Sequence, residues 1–257
     1  MSYLLISLAA TTASALTFFS GFGLGTLLLP VFALFVPIDQ AVAYTAIVHC
    51  INGVFKLLLV GRHADRKTVL RFGLPAILAA VLGAGVLQGL SHLPPIVRYE
   101  FIGRTLEIMP IKLVIGTLLF VFAMLDVTPW FQRLQLPPAL MPVGGLVSGF
   151  LGGLSGMQGA LRSVFLLRAG LSKESFIATG VAISCLVDLS RLSVYVPALL
   201  REGGITDIPL LAVAVVAACG GALIGASVLQ KATFAAVQRI VAAMLVAVAI
   251  GLVAGAL

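Results

Sequence analysis

With 257 residues, 61% hydrophobic and only 10% charged, the chain lies far from a soluble domain, in which about a quarter of residues carry charge. A formal net charge of +7, from 16 Lys and Arg against 9 Asp and Glu, would point a soluble protein toward nucleic acid; in a chain this apolar it reports basic loops on one side of a membrane. Apolar runs long enough to span a bilayer, about 20 residues each, recur throughout, which describes an all-α polytopic membrane protein with a single domain over 1–257 rather than a β-barrel of short alternating segments.

The first apolar segment, 3–36, begins at Tyr3 with no basic stretch before it and reads as a retained helix rather than a cleavable leader. At about 1.5 Å per residue it is too long for one straight crossing. Small residues interrupt it at Ser20-Gly21-Phe22-Gly23-Leu24-Gly25. The segment 38–60 carries Thr45, His49, Asn52 and Lys56. His49 titrates in the physiological range, Asn52 offers neutral hydrogen bonds, and Lys56 is near enough to the segment end to snorkel. A basic loop follows, with Arg62, Arg66, Lys67 and Arg71, and then plain crossings at 69–91 and 110–127. Pro110, Pro137, Pro138 and Pro209 stand at segment starts, where a missing N–H does no harm.

The segment 138–168 repeats the features of the first: excess length and a small-residue run, here Gly152-Gly153-Leu154-Ser155-Gly156-Met157-Gln158-Gly159. Paired interruptions of this kind mark the binding site of repeat-built transporters. Backbone outside a helix survives at membrane depth only where protein buries it or it lines a cavity. A helix restarting after such a break aims free N–H groups and its positive end at the gap, so Gly23, Gly25, Gly156 and Gly159, with Gln158, are candidate anion contacts. The same glycines would also serve close helix packing. Arg162 follows the second run. A charge at the bilayer centre costs at least about 2.5 kcal/mol, so it must face a cavity or a partner, for which Asp188 is the candidate. Its guanidinium can hold two oxygens of a sulfite, sulfonate or carboxylate.

The segment 174–197 contains Thr179, Ser184, Asp188 and Arg191. Asp188 and Arg191, three residues apart, share a helix face and can pair. Asp188 is also a candidate proton carrier, while Arg191 is a further anion contact or, like Lys56, a snorkelling cation. Segments 207–229 and 234–256 close the chain. Cys50, Cys185 and Cys219 all lie in apolar segments without ligand spacing and read as small core residues.

Asp39, Cys50 and Lys56-Leu57 recur as Glu174, Cys185 and Arg191-Leu192, a duplication at an offset of 135 residues that divides the chain into repeats near 1–130 and 135–257. Each long segment is either a broken helix, which makes the repeats parallel, or a re-entrant hairpin followed by three crossings, which inverts them. Loop charges favour the second. Two hairpins gather Arg62, Arg66, Lys67, Arg71, Arg133, Arg168, Lys173, Lys231 and Arg239 inside and leave Arg98, Arg104, Lys112 and Arg201 outside, nine against four. Eight full crossings give six against seven. Inverted repeats with both termini outside are therefore expected.

The glycine-rich run ending at Pro30, the stretch Pro37-Ile38-Asp39-Gln40-Ala41-Val42-Ala43, and their second-half counterparts around Gln158-Gly159-Ala160-Leu161-Arg162-Ser163 and Val187-Asp188-Leu189-Ser190-Arg191-Leu192 resemble the TauE/SafE sulfite exporter family, also called TSUP. The resemblance spans nearly the whole chain. It implies transport of sulfite or an organosulfonate across a prokaryotic cytoplasmic (inner) membrane, with a small anion and the bilayer as partners and neither cofactor, metal nor nucleic acid. Thr26 and Gln158 stand where glycine is usual in that pattern, and Ser163 where proline is. Two other readings remain: a non-transport assembly or sensory protein with a structural charged pair, and an intramembrane hydrolase using Ser155 of Gly153-Leu154-Ser155-Gly156. Against the hydrolase, His49, His63 and His92 all precede the serine.

Overall fold

In a computed structural model the described residues are 2–20, 24–101, 103–201, 203–205, 207–228 and 234–257. The first long segment forms α1 (Ser2–Ser20) and α2 (Leu24–Ala33), followed by α3 (Ile38–Val60) and α4 (Arg66–Ser91). Asp65 caps α4, accepting the Thr68 N–H at 2.8 Å, and its bonds to the Thr68 side chain and backbone hold this half-buried carboxyl below its ordinary value. After α5 (Pro110–Val127) and the short α6 (Pro129–Arg133) come α7 (Met141–Ser155), α8 (Gly159–Leu166), α9 (Lys173–Arg201), α10 (Ile208–Val228) and α11 (Phe234–Val253). Among the described residues, six helices are long and apolar enough to cross a membrane.

One departure from helix was not expected. Residues 92–109 hold an antiparallel hairpin of β1 (Val97–Phe101) and β2 (Arg104–Ile108), stapled by an Arg98–Glu107 ion pair at 2.9 Å. Tyr99 donates to the Ala254 carbonyl at 2.5 Å, seating the hairpin on the chain beyond α11.

The second glycine run makes a turn back. Gly156 sits at φ +81°, a left-handed conformation open mainly to glycine, and ends α7 by donating to the Gly152 carbonyl. The chain then retraces its path: Ser148 donates to the Gln158 carbonyl at 3.1 Å, Gly144 lies against the Phe165 ring, and the Leu136 N–H reaches the Val164 carbonyl at 3.1 Å. Alone α7 has 15 residues, about 22 Å; with the 3-10 turn that leads into it from Pro138 it reaches 18 residues, about 27 Å, and is one of the six helices long and apolar enough to cross. Gly21 and Gly23 of the first run lie outside the described residues, but Gly25 is buried against the Gly156 carbonyl and Thr45. The two runs meet.

Helix α7 packs along α4 because Gly145, Gly149 and Gly153 let the Phe72, Ala76 and Ala80 backbone approach where any side chain would collide. In the other half α1 packs along α10, with Gly221 against the Thr11 carbonyl and Thr11 donating to Ala217. Two further pairs run antiparallel. Helix α3 meets α9 at His49–Asp188 and Gly53–Cys185, and α5 meets α11 where Gly116 faces Ala249 and Val253. These contacts bring α3, α8 and α9 together around one polar cavity.

Candidate anion-binding cavity

Helical spacing puts His49, Asn52, Gly53 and Lys56 on one face of α3, and Ile177, Gly180, Val181 and Ser184 on one face of α9. Between them, closed by Arg162 and Ser163 of α8 and by Thr17 and Leu24, lies a cavity of about 60 Å³, measured as the room open to water-sized centres. One water needs about 10–15 Å³ on that measure, so a small oxyanion fits. The cavity sits toward the ends where α3 finishes and α9 begins.

Five of the expected residues line it: Arg162, His49, Asn52, Lys56 and Ser184. Arg162 is 7% exposed, and its buried Nη1 has no hydrogen-bond partner among the described residues. Asp188 is not its salt-bridge partner as expected: that carboxylate, completely buried, is engaged within α9 and by α3. His49 Nδ1 lies 2.5 Å from Oδ2, and Arg191 Nε donates to Oδ1 at 3.0 Å. Arg191 Nη2 is 2.8 Å from the same oxygen, near enough to pair but out of line for a hydrogen bond. Neither Lys56 nor Arg191 snorkels. Lys56 is 6% exposed and donates to the Ser14 carbonyl at 3.3 Å, while Arg191 is 0% exposed.

Arg191 instead backs the hairpin tip. A side chain on Gly156 would meet its Nη1 at 2.6 Å, and one turn on, Tyr195 donates to the Gly153 carbonyl. The backbone donors are unequal too. The N–H groups of Gly156 and Gln158 bond to Gly152 and Gly156 carbonyls, so Gly156 is not a free donor; Gly159 opens α8, where first-turn N–H groups have no acceptor within their own helix. Gln158 is buried beside the cavity, bonding Ser184 through Nε2 at 3.3 Å, with Oε1 unpartnered among the described residues. Gly25 lies at the contact of the two runs, and Gly23 is outside the described residues. Thr179 is spent on the Asp65 N–H at 2.8 Å. Ser155 donates to the Leu151 carbonyl at 2.9 Å, and the Nδ1 of His49 is held by Asp188.

Sequence reasoning missed two residues of α1: Ser14, which holds Asn52 and Lys56, and Thr17, which lines the cavity. Their only signal was small hydroxyl residues at helical spacing just ahead of the first glycine run.

The chain matches the family described as Sulfite exporter TauE/SafE over residues 6–252. It belongs to the TauE/SafE family. Comparison with curated proteins finds no match. TauE/SafE proteins are membrane transporters for export of sulfite and related anions, so the chain is an integral membrane protein of transporter type. In this TauE/SafE chain the cavity wall has the sign such cargo requires. Arg162 and Lys56 are on it with His49, and no carboxylate is among the described lining residues.

Proposed function

We propose that this protein is a secondary transporter that moves a small oxyanion, sulfite or an organosulfonate, across a prokaryotic cytoplasmic membrane, holding it between Arg162 and Lys56. The observation that carries the reading is a cavity of about 60 Å³ whose described lining residues include two cationic side chains and no carboxylate. An anion about 4 Å from one such charge gains roughly 4 kcal/mol at an effective dielectric near 20, enough to offset much of the cost of leaving water. Arg162 is the principal contact because its buried Nη1 lacks a partner among the described residues. The first-turn N–H groups of α8, from Gly159, add neutral donors, while Gln158 positions Ser184 on the wall. Arg191 acts indirectly, by fixing Asp188 and the Gly156 tip.

We also infer inverted repeats. The reading is supported by the return of α8 along α7 and by the antiparallel packing of α3 on α9 and α5 on α11, the pairs that the duplication relates. Transport is tested with purified protein in proteoliposomes loaded with sulfite or methanesulfonate. Protein-dependent efflux that competes with unlabelled anion is expected; vesicles that leak no faster than protein-free ones would leave an assembly or sensory role instead.

A further inference from the structure

We propose that His49 is a proton site of this transporter, and that the cavity takes up a proton with each anion so that the two move together. This rests on the anion-cavity reading above. The His49 ring is on the cavity wall, and its Nδ1 is 2.5 Å from Asp188 Oδ2. A carboxylate only accepts, so Nδ1 carries the hydrogen and Nε2 is the nitrogen left to gain or lose a proton. Asp188 is not the carrier: one oxygen meets His49, the other meets Arg191, and the carboxylate is completely buried. Asp188 and Arg191 balance one another. The charge state of the imidazole therefore changes the net charge facing the cavity.

The groups around His49 set the sign of the coupling. Helix α9 presents Asp188, Arg191 and Cys185, α8 presents Arg162 across the cavity, α3 itself carries Cys50 and Lys56, and Cys219 of α10 flanks Lys56. With the cavity empty, Arg162 and Lys56 oppose a third positive charge on the wall. An anion between them removes that opposition. Anion and proton then favour each other's binding by the same factor, as linkage requires. The proton comes from water on the side to which the cavity opens, rests on Nε2 while the anion is bound, and returns to water on the far side; no bond to the anion is made or broken. Asp188 is a positioning residue that fixes the tautomer.

The test is calorimetric titration of the purified wild-type protein with thiosulfate and methanesulfonate, anions of strong acids whose own charge is constant near neutrality. Running each titration in two buffers of different ionisation heat counts protons taken up per anion bound. Fractional uptake of up to one proton is expected, with affinity falling as pH rises, by at most about tenfold per pH unit. His49→Gln should bind more weakly at acid pH, lose the proton uptake and show an affinity that no longer changes with pH. Binding without proton uptake in the wild type, or uptake that survives in His49→Gln, would overturn the proposal. Should His49→Gln fail to fold, His49→Asn takes its place, with the same loss of proton uptake expected and the same survival of uptake overturning the proposal. No binding heat with either anion or with sulfite would sink the anion-cavity reading itself, and this one with it.

Discussion

Replacing Arg162 by Met separates a ligand-binding arginine from one that clamps the bundle. The Arg162 side chain is almost wholly buried, and its Nη1 has no partner among the described residues. A buried donor left unmet costs about 1–3 kcal/mol, and a methionine of similar length removes that cost while filling the space. For a chain of this size each kcal/mol moves the unfolding midpoint by about 2–4 °C, so the ligand-free Met variant should melt at the wild-type temperature or several degrees above it. Binding should change in the opposite direction. Each hydrogen bond to an ionised oxyanion contributes about 1.5–3 kcal/mol, so losing a two-pronged contact weakens affinity at least about 100-fold. The assay is thermal unfolding in detergent with and without sulfite, followed by flux in vesicles. A variant that melts well below wild type yet keeps its sulfite-dependent stabilisation would refute the reasoning, because Arg162 would then be a structural clamp.

Gly156→Ala places a Cβ 2.6 Å from Arg191 Nη1 at a φ of +81°, whereas Gly204→Ala meets the same backbone strain at φ +83° in open space. Both should lose about 1–2 kcal/mol of stability from the backbone, but only Gly156→Ala should abolish flux in vesicles. Asp188→Asn removes the partner of a fully buried Arg191 and should cost about 3–5 kcal/mol; Asp188→Leu with Arg191→Met should recover most of it in thermal unfolding. Reporters fused after Arg66 and after Gly203 should lie on opposite sides of the membrane, and finding both on one side would restore parallel repeats. Asp65→Ala should lower stability by about 1 kcal/mol at neutral pH. Because the folded-state carboxyl is held low, that difference is present above the ordinary carboxylate value and vanishes as pH falls through the lowered one, which melting curves at acid pH would show.

Much of this architecture is legible from lengths and charges. A segment such as 138–168, too long for one crossing and broken by glycine, implies a turn, and Gly156 supplies one. Position 162 is conspicuous because a lone arginine in apolar surroundings cannot be left unexplained. The pairing of His49 with Asp188 was not legible, since the residues are 139 apart and meet only through the packing of α3 on α9. Lys56 misled for a related reason: distance from a segment end measures depth along one helix, whereas burial of that ammonium depends on α1 crossing beside it and offering the Ser14 carbonyl. The β-hairpin escaped because its strands are only five residues each; their alternation, Val97 and Tyr99 paired with Ile108 and Leu106, is a strand signal too short to stand out between two long apolar helices, and Tyr99 seats the hairpin on Ala254.

The proposed duplication also explains why the cavity is one-sided. Lys56 and Arg191 occupy equivalent positions, since 56 plus 135 is 191. Three residues before Arg191 stands Asp188, whereas three residues before Lys56 stands Gly53. An i,i+3 carboxylate draws the arginine back along its own helix, over the Gly156 tip and out of reach of any solute. Gly53 cannot do this for Lys56, and having no side chain it lets α9 approach until Cys185 Sγ would sit 3.0 Å from an added Cβ. That close approach lines up Ser184 and Gly180 against α3 and leaves the lysine on the cavity wall. One acidic residue in the second half, and one glycine in the first, turn equivalent cations into a structural brace and a side chain on the cavity wall.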